Sequence, residues 1–163
     1  MIRALTADDL TAYRGLWLHG LSEDPFAFLL TADEAVATRD SALAAKLTAG
    51  EVIGAFRGGH LLAFVAFRRG GPERLRHMAD IGPLYVHPSA RRRGLAQALM
   101  TEAIKVAAAL GVLQLELCVD AQNLGARKLY EACGFQKIGL RPRSVIVNGV
   151  PRDDLLMLKT LDA

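Results

Sequence analysis

The sequence predicts an α+β fold in three layers: a mixed, mostly antiparallel sheet of about seven strands with helices on both faces. Three observations carry this. Short runs of β-prone residues are joined in two places by Gly58-Gly59 and Asn148-Gly149, dipeptides that favour the tight turns of antiparallel hairpins. Segments of helical apolar spacing alternate with those runs. The 163 residues are 52% hydrophobic, which is ample for one full core, so a single domain over 1–163 is expected.

The elements follow in order. Ile2 to Leu5 reads as a short strand, and Thr6 with Asp9 three residues on opens a helix marked by Leu10, Tyr13, Leu16 and Trp17. Asp24-Pro25 breaks it. A second helix is expected over Asp33 to Thr48, closed by Gly50. Val52 to Arg57 and Leu61 to Arg68 form the first hairpin, and Gly70-Gly71-Pro72 is a loop. His77 to Val86 is the next strand. Gly82-Pro83 inside it implies a bulge or a local loss of pairing, because proline has no N–H to give a ladder. Leu95 to Leu110 is apolar on two faces and should be a largely buried helix, ended by Gly111. Val112 to Val119 alternates with period two. Asn123 caps a helix carrying Ala126, Leu129, Tyr130 and Cys133, with Gly134 at its end. Phe135 starts a strand, and Arg143 to Val147 with Asp153 to Lys159 closes the fold as a hairpin.

Composition narrows the function classes. The net charge of +3 comes from interspersed acids and bases, not from a basic tail, which argues against a dedicated nucleic-acid binder. Cys118 and Cys133 have no C-x-x-C spacing, so neither a disulfide framework nor a metal site is expected, and a reducing cytoplasm suits them. No long apolar run suggests a leader or a membrane span.

The most informative stretch runs from Leu84-Tyr85-Val86 through His87-Pro88 into Arg91-Arg92-Arg93-Gly94-Leu95-Ala96. A strand turns there into a basic, glycine-punctuated helix start. The first amides of a helix have no intrahelical partner, its dipole is positive at that end, and the arginines add full charges, so the junction suits a phosphate. The spacing is neither a P-loop nor a dinucleotide fingerprint. A solvated basic helix start and a nucleic-acid contact are the competing readings of the same arginines.

The pattern Arg91-x-x-Gly94-x-Ala96 after Leu84-x-Val86 resembles the acyl-CoA loop of the GNAT superfamily of N-acetyltransferases. The later run of Leu115-x-Leu117-x-Val119, Asn123-x-x-Ala126-x-x-Leu129-Tyr130 and Gly134-Phe135 resembles that family too. The resemblance implies a GNAT-like sheet in which two strands splay to admit acetyl-CoA as cosubstrate. It also implies transfer of an acetyl group to a primary amine by direct attack in a ternary complex, with no metal. Leu84, Tyr85, Val86, Arg91, Arg92, Arg93, Gly94, Leu95, Ala96 and Asn123 are the implied cofactor-binding positions. Tyr130 matches the family's proton donor, a role for a phenol of ordinary pKa, although the same residue reads as core on an apolar helical stripe.

The base is less defined. Some amino-terminal acetylating members carry a glutamate where this chain has Cys118. Histone-type members carry one where it has Asp80, and Glu116 is the second candidate. Both carboxylates also read as ordinary paired or solvated acids, and water-relayed deprotonation stays open. His87 and His77 read as loop residues, and Trp17, Phe26 and Phe28 as core in a region that lines the acceptor site in the family. A non-catalytic acyl-CoA sensor of the same fold is the alternative function. Expected partners are acetyl-CoA and an amine, with no nucleic acid or membrane, and a homodimer is possible as in relatives.

Overall fold

Twelve helices and strands of more than one turn follow the sequence reading closely in a computed structural model that describes residues 1–162. They are β1 (Ile2–Ala4), α1 (Leu10–Glu23), α2 (Ala32–Ala37), α3 (Asp40–Thr48), β2 (Val52–Arg57) and β3 (His60–Arg69), then β4 (Met78–Val86), α4 (Leu95–Ala109), β5 (Gln114–Asp120), α5 (Leu124–Ala132), β6 (Gln136–Val147) and β7 (Val150–Thr160). The seven strands form one sheet in the order β1-β2-β3-β4-β5-β7-β6. The β1–β2, β2–β3, β5–β7 and β6–β7 pairs are antiparallel, while β4–β5 is parallel, which gives the mixed, mostly antiparallel sheet expected. No described helix is long and apolar enough to cross a membrane.

The chain divides into two compact units: Met1–Phe67 with Pro83–Ala103, and Arg68–Gly82 with the chain from Ile104 onward. In the first unit, Tyr13, Leu16, Trp17 and Leu21 of α1 bury one face together with Leu43 and Leu47 of α3, Phe64 of β3 and Tyr85 of β4. Tyr13 meets Phe64 edge to face at 5.0 Å, a geometry that aligns the ring edge with the π face. The entry to α1 is held by Asp9, whose carboxylate accepts from the Thr6 N–H and from both terminal nitrogens of Arg3 at 2.8 to 2.9 Å. The helix expected over Asp33 to Thr48 is two helices. Thr38 and Arg39 between α2 and α3 are extended, and the cause is tertiary. Arg14 of α1 donates to the Ala35 and Thr38 carbonyls and to Asp40, capturing backbone acceptors that a continuous helix would use itself.

In the second unit β5 pairs with β7 along its whole length, from Gln114 opposite Thr160 to Asp120 opposite Asp154. Leu115, Leu117, Val119, Leu155 and Met157 are buried, whereas Leu113 lies before the strand and is exposed. The segments read as a strand from Phe135 and a hairpin arm from Arg143 form one long β6, bent by a register shift between Arg141 and Val145. Arg143 there has φ 50°, and its N–H donates to Asp153. The β4–β5 ladder matches Met78–Asp80 with Gln114–Glu116 and stops before Gly82, whose φ is 131°. The Gly-Pro irregularity therefore ends the pairing where the missing N–H predicts it.

Candidate functional site

Two groups of predicted residues stand out, one in each unit. The first begins at the end of β4. Tyr85 is buried among the core aromatics, while Leu84 and Val86 on the opposite face of the strand are half-buried. After the single turn Pro88–Ala90, Arg91 folds back, so that its Nε–H donates to the Val86 carbonyl at 3.0 Å and its guanidinium stands 5.8 Å from the Tyr85 ring centre. Arg92, Arg93 and Gly94 are exposed, and α4 opens at half-buried Leu95 and Ala96 with no acidic residue in its first turn. The first intrahelical acceptor serves Ala98, whose N–H reaches the Gly94 carbonyl, so the preceding N–H groups are the orphan donors of the helix. Gly94 has φ 75° with open space around its missing Cβ. That conformation favours glycine and lets an anion approach the backbone. A groove of about 450 Å³ lined by Gly94, Gln97, Ala98 and Thr101 runs along the exposed side of α4.

Sequence reasoning passed over His19 beside this junction. Its Nδ1 shares a 2.9 Å hydrogen bond with the Tyr85 hydroxyl, and its ring lies 4.7 Å from that of His87. His87 in turn accepts from the Ser89 N–H, which fits the turn role read for it. The Tyr85 hydroxyl titrates above its ordinary value, through burial and the charges of Glu23 and Asp24, against Arg91. Trp17 and Phe28 are core as expected, whereas Phe26 is 40% exposed.

The second group lies on β4, β5 and α5. The Asn123 side-chain oxygen accepts from the Ala126 N–H at 3.1 Å and caps α5. Tyr130, half-buried seven residues on, packs edge-on against Phe135 at 6.1 Å. Burial, with a smaller contribution from Cys133, pushes the Tyr130 phenol up to about 12, so the ordinary pKa expected for it does not hold. Asp80 and Glu116 are register partners on one face of the parallel pair. The Asp80 carboxylate already pairs with Arg68 at 2.8 Å, both side chains being largely exposed. Cys118 lies two residues beyond Glu116 on the same face, and its thiol titrates above the ordinary value. Partial desolvation leads, then the carboxylates of Asp154, Asp80 and Glu116, with Arg141 opposing. Among the described residues no group of three or more histidine, cysteine or acidic side chains is placed to hold a metal ion.

Residues 8–135 match the model of the acetyltransferase (GNAT) family. The chain belongs to the GNAT family. Within it, the chain is similar to mycothiol acetyltransferase of Beutenbergia cavernae, 43% identical over 61 residues that make up 37% of this chain and 20% of that protein. The chain thus spans a fraction of the length of that curated relative. The fold is similar over whole chains to the ribosomal-protein-alanine N-acetyltransferase of Brucella melitensis, with 25% identity, a TM-score of 0.83 and 99% of both chains covered. It is also similar to a putative acetyltransferase from Salmonella typhimurium solved with its cofactor acetyl-CoA, at 19% identity and a TM-score of 0.86, covering 100% of this chain and 94% of that one.

Proposed function

We propose that this chain is an acetyltransferase that moves the acetyl group of acetyl-CoA to a primary amine by direct attack in a ternary complex. The observation that carries the reading is the junction at the end of β4. A strand that has left its parallel partner runs into orphan helix N–H groups, three arginines and a glycine at φ 75° with nothing in front of it. Those features fit a diphosphate, and Arg91, Arg92, Arg93, Gly94, Leu95 and Ala96 are the residues assigned to hold it. Acetyl-CoA, when bound, supplies the acetyl group as an activated thioester.

The chain's own residues then have three tasks. Backbone N–H groups near Leu84, Tyr85 and Val86 are assigned to the developing oxyanion, a contribution on the order of 3 kcal/mol for one donor. Tyr130 is assigned to protonate the departing thiolate. At about 12 its phenol stays protonated across the physiological range, and the burial that raises it also raises a thiolate brought beside it, so the transfer is less uphill than solution values suggest. Asp80 or Glu116 is assigned to take the ammonium proton before attack, directly or through water. Asn123 orients the cofactor and the proton donor.

The observation on the side of an acyl-CoA sensor is Cys118, a thiol kept protonated where a base is expected. A screen of amines, amino acids and peptides for CoA release from acetyl-CoA separates the two readings. Release dependent on one class of amine supports transfer. Tight acetyl-CoA binding with no release above hydrolysis across the screen supports the sensor. The two free thiols suit a reducing cytoplasm, and a homodimer remains part of the proposal.

A further inference from the structure

Among the described residues Asp154 is the one charged residue buried as a whole, at 8% exposure, and none of the tasks above uses it. It lies on β7 opposite Asp120 of β5 and opposite Arg141 of β6, so the three side chains share one face of the sheet. The two aspartates are treated very differently. Asp120 is satisfied on both oxygens, by Arg152 Nε at 2.7 Å and by the Gln122 N–H at 2.8 Å. Asp154 receives one neutral donor, the Ser144 hydroxyl at 2.7 Å on Oδ2, and its Oδ1 takes no hydrogen bond among the described residues. Removing a carboxylate from water for a single neutral hydroxyl is costly, since buried charges are ordinarily paired. Oδ1 is not fully enclosed, so solvent reaches it.

The surroundings point to the missing partner. The exposed Cys118 thiol feels Asp154, Asp80 and Glu116 together, with Arg141 as the opposing cation. Asp80 is occupied by Arg68, and Arg141, the register partner of Asp154, forms no ion pair with it among the described residues. A nearly buried anion with one oxygen unpaired, on a face where carboxylates outnumber cations, suits an ammonium.

We propose that Asp154 takes the cationic group of the acceptor, so that the acceptors of this enzyme are cationic amines and amines bearing a carboxylate are disfavoured. This rests on the amine-acetylating reading above, and the test keeps the two separable. Binding of putrescine, glycinamide and glutamate is followed by saturation-transfer NMR without acetyl-CoA, and CoA release is followed separately. Wild type is expected to bind putrescine and glycinamide in preference to glutamate. D154N is expected to weaken putrescine binding more than tenfold while acetyl-CoA affinity changes less than twofold. Putrescine binding that is absent in wild type, or equal in folded D154N, overturns the assignment whatever CoA release does. Absence of CoA release with every amine that binds overturns the transferase reading and leaves the cation site standing. Where D154N does not fold, exposed Arg141 decides. R141A removes the competing cation and is expected to tighten putrescine binding severalfold, and unchanged binding overturns the assignment.

Discussion

The Nε–H of Arg91 donates to the Val86 carbonyl oxygen over 3.0 Å, so the first arginine of the basic loop is fastened to the last residue of β4. One side chain thereby fixes where the loop leaves the strand, and its guanidinium, seated over Tyr85, is held with little freedom left to lose on binding. Arg91→Ala is expected to lower acetyl-CoA affinity about tenfold or more, the size of one charge-assisted hydrogen bond. Arg91→Lys should fall between, because lysine restores charge without the Nε–H that spans back to Val86. Titration calorimetry measures both, and equal affinities for the two variants and wild type would separate the loop from the cofactor.

Tyr130→Phe keeps the ring against Phe135 and removes the acidic proton. Turnover is expected to fall by roughly 10² to 10⁴ with acetyl-CoA affinity nearly unchanged, the range for loss of a general acid. Because burial holds the phenol at about 12, the wild-type rate should rise as the amine deprotonates and show no descending limb below about pH 10. A descending limb near neutrality that disappears in Tyr130→Phe would mean the phenol titrates far lower than its burial allows.

For the base, Asp80→Asn and Glu116→Gln each preserve shape and remove basicity. One of them is expected to lower turnover at saturating acetyl-CoA by at least tenfold and to flatten the rise with pH. The structural difference between the candidates is that Asp80 is paired with Arg68 whereas Glu116 forms no ion pair among the described residues, so Arg68→Ala frees the Asp80 carboxylate and should change turnover if Asp80 acts and leave it unchanged if Glu116 does. Both variants turning over at the wild-type rate would leave deprotonation to water.

Stability should carry an acid-sensitive contribution from Asp9. The bond from Arg3, the Thr6 N–H and the Arg3 charge, against some desolvation, hold its carboxyl at about 2 in the folded chain. An unfolded aspartate takes its proton near 3.8, so the contribution is fully present above that value. It is lost as pH falls from there through about 2, where both states are protonated. Asp9→Asn is expected to cost about 2 kcal/mol at pH 7 in urea unfolding, and the difference should shrink toward zero near pH 2. A cost independent of pH would assign the effect to geometry at the start of α1.

Much of this was legible in the chain because local chemistry decided it. Gly82-Pro83 cannot sustain a ladder, and the β4–β5 pairing ends before it. Gly58-Gly59 and Asn148-Gly149 set two hairpins, and the helix start at Leu95 follows the glycine that permits it. What the sequence hid depends on distant partners. The break at Thr38-Arg39 comes from Arg14, some two dozen residues earlier, whose reach to backbone carbonyls leaves no periodicity signal. Asp154 carries no signal of its own within the Asp153 to Lys159 hairpin arm, and only the β5–β7 and β6–β7 registers put it against Asp120 and Arg141. The raised phenol of Tyr130 likewise follows from burial, which a helical stripe suggests without giving its depth.

The central claim is that the junction from Arg91 to Ala96 holds acetyl-CoA, and Gly94 tests it most directly. Its φ of 75° and the open space before it belong to the backbone, so a β-branched side chain there both strains the turn and covers the amides. Titration calorimetry of acetyl-CoA into wild type and Gly94→Val, with folding checked by circular dichroism, is the measurement. At least a tenfold loss of affinity in a folded Gly94→Val is the predicted result, and unchanged affinity in the folded variant would contradict the account.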